Sequence, residues 1–598
     1  MSEAIRKRAD IPVEDTWDLT HLYPSDEAWE KDLEILKEEG AHLATFNGKL
    51  SHAETLYTYL SAMECADVRA DRLGNYCMRK ADEDTRNAVY QAMSGKFMSA
   101  VVELGAQLSF ETPELMAIDD ETLAGFYTQC PQLERYRRYL TDMRRMRAHV
   151  LSPAEEKLLA SAGEMSQAPD NIYSLFADAD LTFKEAADSE GKLHPVSQGT
   201  FVACEESPDR TLRKNAYESL YDGFTAFKNT AAGLLNAQNK QLKFFADARK
   251  FPNAFEAALK RTNVPTSVYL NLIEAVHNNA DKMHRYIRLR KKLLSLDELH
   301  FYDIYTPLVP GVDQKIPFTQ AKQTVYDALA PMGEDYRKIL NEGFENRWID
   351  VYQNEGKRSG AYSAGADVHP YVLLNYTGTL DSQFTLAHEM GHALHSYLSN
   401  KHQNPIDANY VIFVAEVAST CNEALLMEYL LERTTDKKQR AYLINHFLDQ
   451  FRGTIYRQTM FAEFELNIGR MVAEGKTLTA DALCAEYRRL NELYYGPDIQ
   501  VDDRIAVEWA RIPHFYYNYY VFQYATGYAA AIALSRRILD EGEPAVKDYL
   551  NFLSGGRTRS PIDLLKGAGV DMTSPKPVEQ ALELFGTLLD EMEKLMEE

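Results

Sequence analysis

Cysteine is scarce. The chain carries six in 598 residues, at Cys65, Cys77, Cys130, Cys204, Cys421 and Cys484, and no two form a CxxC pair. This excludes a disulfide framework, a thiolate zinc knuckle and a thioredoxin-like redox motif, and points to a reducing compartment. Long apolar runs are missing too: nothing approaches the ~18 uninterrupted residues of a spanning helix. The opening MSEAIRKRADIPVEDTWDL has no apolar core of a secretory leader. Positive charge is in deficit, with 65 Lys+Arg against 89 Asp+Glu and a net charge of −24. Phosphate-rich partners select the opposite balance, so nucleic acid and anionic membrane surfaces are excluded as partners. A soluble, cytoplasmic protein is expected.

What is present is ordinary globular composition, 45% apolar and 26% charged. The length exceeds the ~250–300 residues at which a single core stops growing, so two or more lobes are expected. Helical patterning dominates. It runs from Ser25, a candidate N-cap, through about Thr141, and from Ser152 to Ala162. It resumes over Asp209–Lys250 and Pro265–Leu294. The stretch Leu181–Thr200, with DSEGKLHPVSQGT, is turn-rich and predicts a hairpin or linker, hence a boundary near residue 190. Between Trp348 and Tyr376, GAYSAG (Gly360–Gly365) and YVLLNY (Tyr371–Tyr376) predict two short strands. The fold class is therefore mainly α, with a small β element just before residue 380.

The chemistry is concentrated in His388-Glu389-Met390-Gly391-His392, an HExxH motif. Histidines at i and i+4 share one helix face ~5–6 Å apart, which suits two imidazole nitrogens on one tetrahedral Zn²⁺. Glu389 flanks the metal without being forced to bind it. There it can take a proton from a water on the metal and return it to the leaving amine. With 15 His and 49 Glu in this chain, chance alone yields the motif ~0.03 times. Gly391 is unexpected inside a helix, costing up to ~1 kcal/mol relative to Ala, and predicts close approach of another element.

A third ligand is required. His395 is two turns past His388, ~10 Å along the axis and too far to share the ion. Position 398 is Leu where a metzincin would carry its third His. Glu416, in VIFVAEVAST, stands in an apolar helical run and would be costly to bury without a partner. A metal would be that partner, and an Arg or Lys could be another. Glu423, two turns on, could accept a hydrogen bond from a ligand histidine, or be a surface glutamate. The last feature is HFYYNYYVFQYATGY, His514–Tyr528. Read as one helix, it puts His514, Tyr517, Tyr524 and Tyr528 on one stripe with Tyr520 adjoining. Such stripes form core, or, beside a metal, supply donors to the oxyanion of amide hydrolysis.

Taken together, HEMGHALH, FVAEVAST, GKRSGAYS, the run YVLLNYTGTLDSQFTLAHEMGHALHSYLS, HFYYNYYVFQYATGYAA and the opening EDTWDLTHLYPS resemble the M3 metallopeptidases of the thimet oligopeptidase superfamily. The likeness is to the oligoendopeptidase F branch and spans almost the whole chain. The resemblance implies a gluzincin-type fold of two helical lobes enclosing a deep substrate channel. The N-terminal lobe would occupy residues 1–190 and the catalytic domain 191–598. It implies one Zn²⁺ per chain, held by His388, His392 and Glu416, with Glu389 as base. It also implies a catalytic His and Tyr on a C-terminal helix: His514 matches, and Tyr524 matches first, with Tyr520 and Tyr517 as alternatives. The activity implied is cleavage of internal bonds in short unstructured peptides. Tyr371–Tyr376 is a candidate edge strand for pairing with the peptide backbone.

Two other readings remain open. A zinc carboxypeptidase or dipeptidyl carboxypeptidase would need a cation for the substrate's C-terminal carboxylate, and Arg504 and Arg511 are within sequence reach of the tyrosines. A non-catalytic peptide-binding protein would have no use for Glu389. Oligomeric state is not legible.

Overall fold

The computed structural model describes residues 5–309 and 315–597. It is mainly helical with only short strands, as the patterning predicts. Among the described residues no helix is long and apolar enough to cross a membrane. Contacts divide the chain into two compact units. One is Met1–Ala148, Gln314–Tyr429 and Leu534–Val570; the other is His149–Asp313, Leu430–Ala533 and Asp571–Glu598. The sequence suggested one cut near residue 190. Each compact unit is assembled from three segments of the chain, so helices distant in sequence share a core.

In the first unit the predicted N-terminal helix spans Asp26–Ala44. Ser25 caps it, its hydroxyl accepting the Ala28 N–H, and Asp26 and Glu27 complement the positive helix end. Its apolar face buries Trp29, Leu33, Leu36 and Leu43. The Trp29 indole N–H donates to Leu73 O in helix Ala53–Glu83 at 2.9 Å. The same core reaches Tyr371 and Leu373. These belong to a three-stranded sheet in the order 349–350, 371–373, 362–364, parallel then antiparallel, with Tyr362 opposite Leu373 and Ala364 opposite Tyr371. The two predicted strands thus exist and pair. The strand expected at the edge, 371–373, is central, and the antiparallel edge is Tyr362–Ala364. The central strand Tyr371–Leu373 is buried at every position, which suits the middle of a sheet better than a rim. A buried Lys357–Asp350 pair at 2.6 Å, joined by Arg8, ties the opening segment to this sheet.

In the second unit the helix Arg457–Ala473 is buried over most of its length. Tyr269 donates to Ala462 O at 2.6 Å. The buried Glu508 carboxylate accepts from Tyr487 (2.6 Å), Tyr221 (3.0 Å) and Arg457 (2.8 Å), which satisfies a charge that would otherwise be costly.

Candidate metal centre and tyrosine cluster

The motif lies on the helix Leu380–His402 of the first unit. Thr379 caps its start by accepting the Ser382 N–H, and Lys401 and His402 sit in its last turn. His388 and His392 leave one face, with ring centroids 4.9 Å apart. Glu416 comes from the helix Ile412–Arg433. Its Oε2 stands 3.4 Å from Nε2 of His388 and 3.4 Å from Nε2 of His392. All three donors lie within 4.8 Å of one another, the one such metal-capable group among the described residues. Donors ~2.1 Å from a tetrahedral ion stand ~3.4 Å apart. Both Glu416–histidine separations match that spacing, so the three side chains form a candidate His₂Glu site.

Gly391 explains how the helices come so close. A Cβ there would lie 2.6 Å from Ser419 Cα and 2.7 Å from Ala418 O. The approaching element is the Glu416 helix. Asn422 of that helix donates to Ala387 O at 3.2 Å and accepts from Tyr336 at 2.9 Å, fixing the register of the pair.

Around the candidate ligands, His388 Nδ1 faces Glu423 Oε2 at 3.3 Å, and Ser419 donates to Glu416 Oε2 at 3.0 Å. Burial opposes charge on His388, but the Glu423 hydrogen bond and the carboxylates of Glu423, Glu389 and Glu416 outweigh it and hold its pKa up at about 9. Burial also pushes Glu416 up; the imidazoles of His392 and His388, with Ser419, reverse this and bring it to about 2. Glu389 is buried, its Oε2 has no hydrogen-bond partner, and burial raises its pKa against the pull of both histidines. That is the disposition of a carboxylate suited to take and return a proton. His395 stacks on Tyr410 at 3.6 Å, beside Phe552, and burial lowers its pKa to about 3; it is a core residue.

The tyrosine segment, in the second unit, departs from the expected helix. Pro513–Tyr516 is a single 3₁₀ turn, Asn518 (φ 61°) and Tyr519 (φ 58°) are left-handed, and the helix begins only at Phe522. The stripe read from helical spacing is therefore broken. Tyr528 leaves it to pack edge-on against Phe451. The turn nonetheless gathers the other members: the His514 ring lies 5.4 Å from Tyr517, 6.5 Å from Tyr520 and 6.0 Å from Tyr524. Burial lowers the His514 pKa, disfavouring the charged ring. Tyr517 is the most exposed of the four.

Comparison with known proteins decides the family. Residues 203–584 match the model of peptidase family M3. The chain belongs to peptidase family M3. Residues 114–183 match a second model, described as oligopeptidase F. The chain is 46% identical to Oligopeptidase PepF of Bacillus subtilis, over 98% of its own length and 88% of that protein's. It is 39% identical to the plasmid-encoded Oligoendopeptidase F of Lactococcus lactis, over 99% of both. Its fold superposes on oligoendopeptidase-F from Enterococcus faecium with a TM-score of 0.75 at 36% identity, covering 96% of this chain and 99% of that one. The M3 membership, of the oligoendopeptidase F type, makes the chain a metalloendopeptidase.

For an M3 peptidase the engagement of Arg504 and Arg511 is informative. Arg504 grips Asp222 at 2.9 and 3.3 Å, and Arg511 is half-buried over Phe201 and beside Tyr221. Arg504, already paired with Asp222, is not presented as an anchor for a terminal carboxylate. Sequence reasoning passed over Ser419 and Asn422. The available signal was polar residues inside an otherwise apolar helix, the same signal that singled out Glu416.

Proposed function

We propose that this M3 peptidase is a zinc-dependent oligoendopeptidase in which His388, His392 and Glu416 hold one ion and Glu389 is the general base. The observation that carries the reading is the convergence of two imidazole nitrogens on one Glu416 oxygen at 3.4 Å, with the buried, unpartnered Glu389 oxygen on the same helix. Zinc there supplies Lewis-acid polarisation of the scissile carbonyl and a more acidic water. Glu389 accepts the proton of the attacking water on its carboxylate and passes it to the leaving amine. Glu423, through His388 Nδ1, orients that ring and keeps its other nitrogen available. His514 and Tyr524 donate to the oxyanion, with Tyr520 and Tyr517 as the alternatives; their packing into one cluster supports a shared task. The edge role passes from 371–376 to Tyr362–Ala364, which has a strand neighbour on one side only and could add an extended peptide on the other. We place the enzyme in the cytoplasm, acting on short peptides.

The test is metal analysis together with cleavage of a peptide blocked at both ends. One zinc per chain and internal cleavage support the reading. Cleavage only after unblocking the C-terminus would favour a carboxypeptidase, and stoichiometric binding without turnover a peptide-binding protein.

A further inference from the structure

The left-handed pair Asn518–Tyr519 is what turns the chain between His514 and the helix that carries Tyr524. Side chains disfavour that conformation, and two in succession are not held by local preference. Something must hold them. Glu465, on the buried helix Arg457–Ala473, accepts the Tyr519 N–H at 2.5 Å and makes no other hydrogen bond through its second oxygen, Oε2. One turn further along that helix, Gly469 leaves room for the Tyr519 phenol: a Cβ there would lie 2.1 Å from its hydroxyl and 3.4 Å from Cζ. The Tyr519 ring is enclosed by Phe255 and Tyr269. On the other side of the turn, Gln238 donates to Tyr516 O at 2.9 Å.

We infer that Glu465, with Gly469, is a positioning residue: it clamps the 518–519 turn and so sets where His514 stands relative to Tyr520 and Tyr524. The inference rests on the catalytic reading of that cluster given above. Glu465 acts through the Tyr519 backbone. Burial pushes its carboxyl up to about 8, so at neutral pH it is largely the neutral acid, and a glutamine reproduces both its shape and its acceptor oxygen. A buried carboxyl held for one backbone N–H is an unusual expense in a core, and the turn is what it secures.

The experiment compares Glu465→Ala, Glu465→Gln, Gly469→Ala and the double variant Gly469→Ala/Tyr519→Phe, all metal-loaded, with His514→Ala as reference. A displacement of catalytic groups by about 1 Å costs on the order of 10²-fold. Expected are a ~10–100-fold fall in kcat with little change in KM for Glu465→Ala, recovery to within about threefold of wild type in Glu465→Gln, and faster amide exchange over 516–521 in the alanine variant only. Gly469→Ala should lose kcat, and removing the Tyr519 hydroxyl in the same chain should restore it. That rescue keeps the test decisive if Glu465→Ala does not fold. Wild-type kcat in Glu465→Ala beside a crippled His514→Ala would overturn the inference alone, as would equal damage from Gln and Ala. Wild-type kcat in His514→Ala and Tyr524→Phe would remove the cluster's catalytic reading, and the positioning role with it.

Discussion

His388 Nδ1 stands 3.3 Å from Glu423 Oε2, while the same ring's Nε2 faces Glu416 at 3.4 Å. One helix thus carries both the proposed ligand Glu416 and the carboxylate that faces the His388 ring from its other side. Replacing Glu423 by Ala is expected to weaken metal affinity ~10–100-fold without unfolding the chain, the usual effect of losing a histidine's outer partner. Competition titration against a zinc chelator measures it. Unchanged affinity would mean that the His388 ring is held by packing alone.

Glu389→Gln is expected to keep metal, fold and KM, and to lose ~10²–10⁴ in kcat, because an amide cannot take the proton. Burial already raises the Glu389 pKa against the pull of both histidines. Wild-type kcat in a zinc-loaded Glu389→Gln preparation would end its assignment as base.

Gly391→Ala forces a Cβ to within 2.6 Å of the Ser419 backbone. Backbone cannot yield as a flexible side chain can, so the two helices must separate. Overpacking of this kind costs ~1–3 kcal/mol. Because Glu416 rides on the displaced helix, metal content should fall together with Tm. A stable variant with full metal content would show that the helices have room after all.

Acid stability should depend on His369. Its Nδ1 donates to Pro370 O at 2.9 Å, its Nε2 accepts from His21 at 2.8 Å, and its ring stacks on Trp348. Burial lowers its pKa to about 4 from 6.5. With the folded value depressed, the unfolded chain binds the proton first. Stability is therefore complete above pH ~6.5 and is lost as pH falls towards ~4, by up to ~3 kcal/mol. Denaturant midpoints of wild type and His369→Asn across that window should show a shallower acid slope in the variant, though a lower midpoint at pH 7. Parallel slopes would assign the acid sensitivity elsewhere.

The candidate metal centre was legible in the sequence because its information is local. HExxH spacing sets two ligands on one helix face whatever surrounds it. Glu416 was legible because a lone carboxylate in an apolar helix needs a partner. The same rule applies to Glu465, in MFAEFELN, but its partner is a backbone N–H that carries no sequence signature. Mainly helical character, the strand pair before residue 380 and even the crowding at Gly391 followed from periodicity and propensity. The tyrosine segment did not follow. Helical spacing assigns its residues to one stripe, yet Pro513 and two left-handed residues break it. Those conformations are unfavourable locally and exist because Glu465, Gly469 and Gln238, remote in sequence, hold them. Likewise the order of three strands, and which of them is the edge, is a matter of long-range hydrogen bonds. The sequence by itself determined what the site is made of, since ligand chemistry and helix geometry are local. Only the tertiary structure decided how the aromatic donors are gathered and what holds them, since a strained turn is stable only against partners that the fold brings from elsewhere.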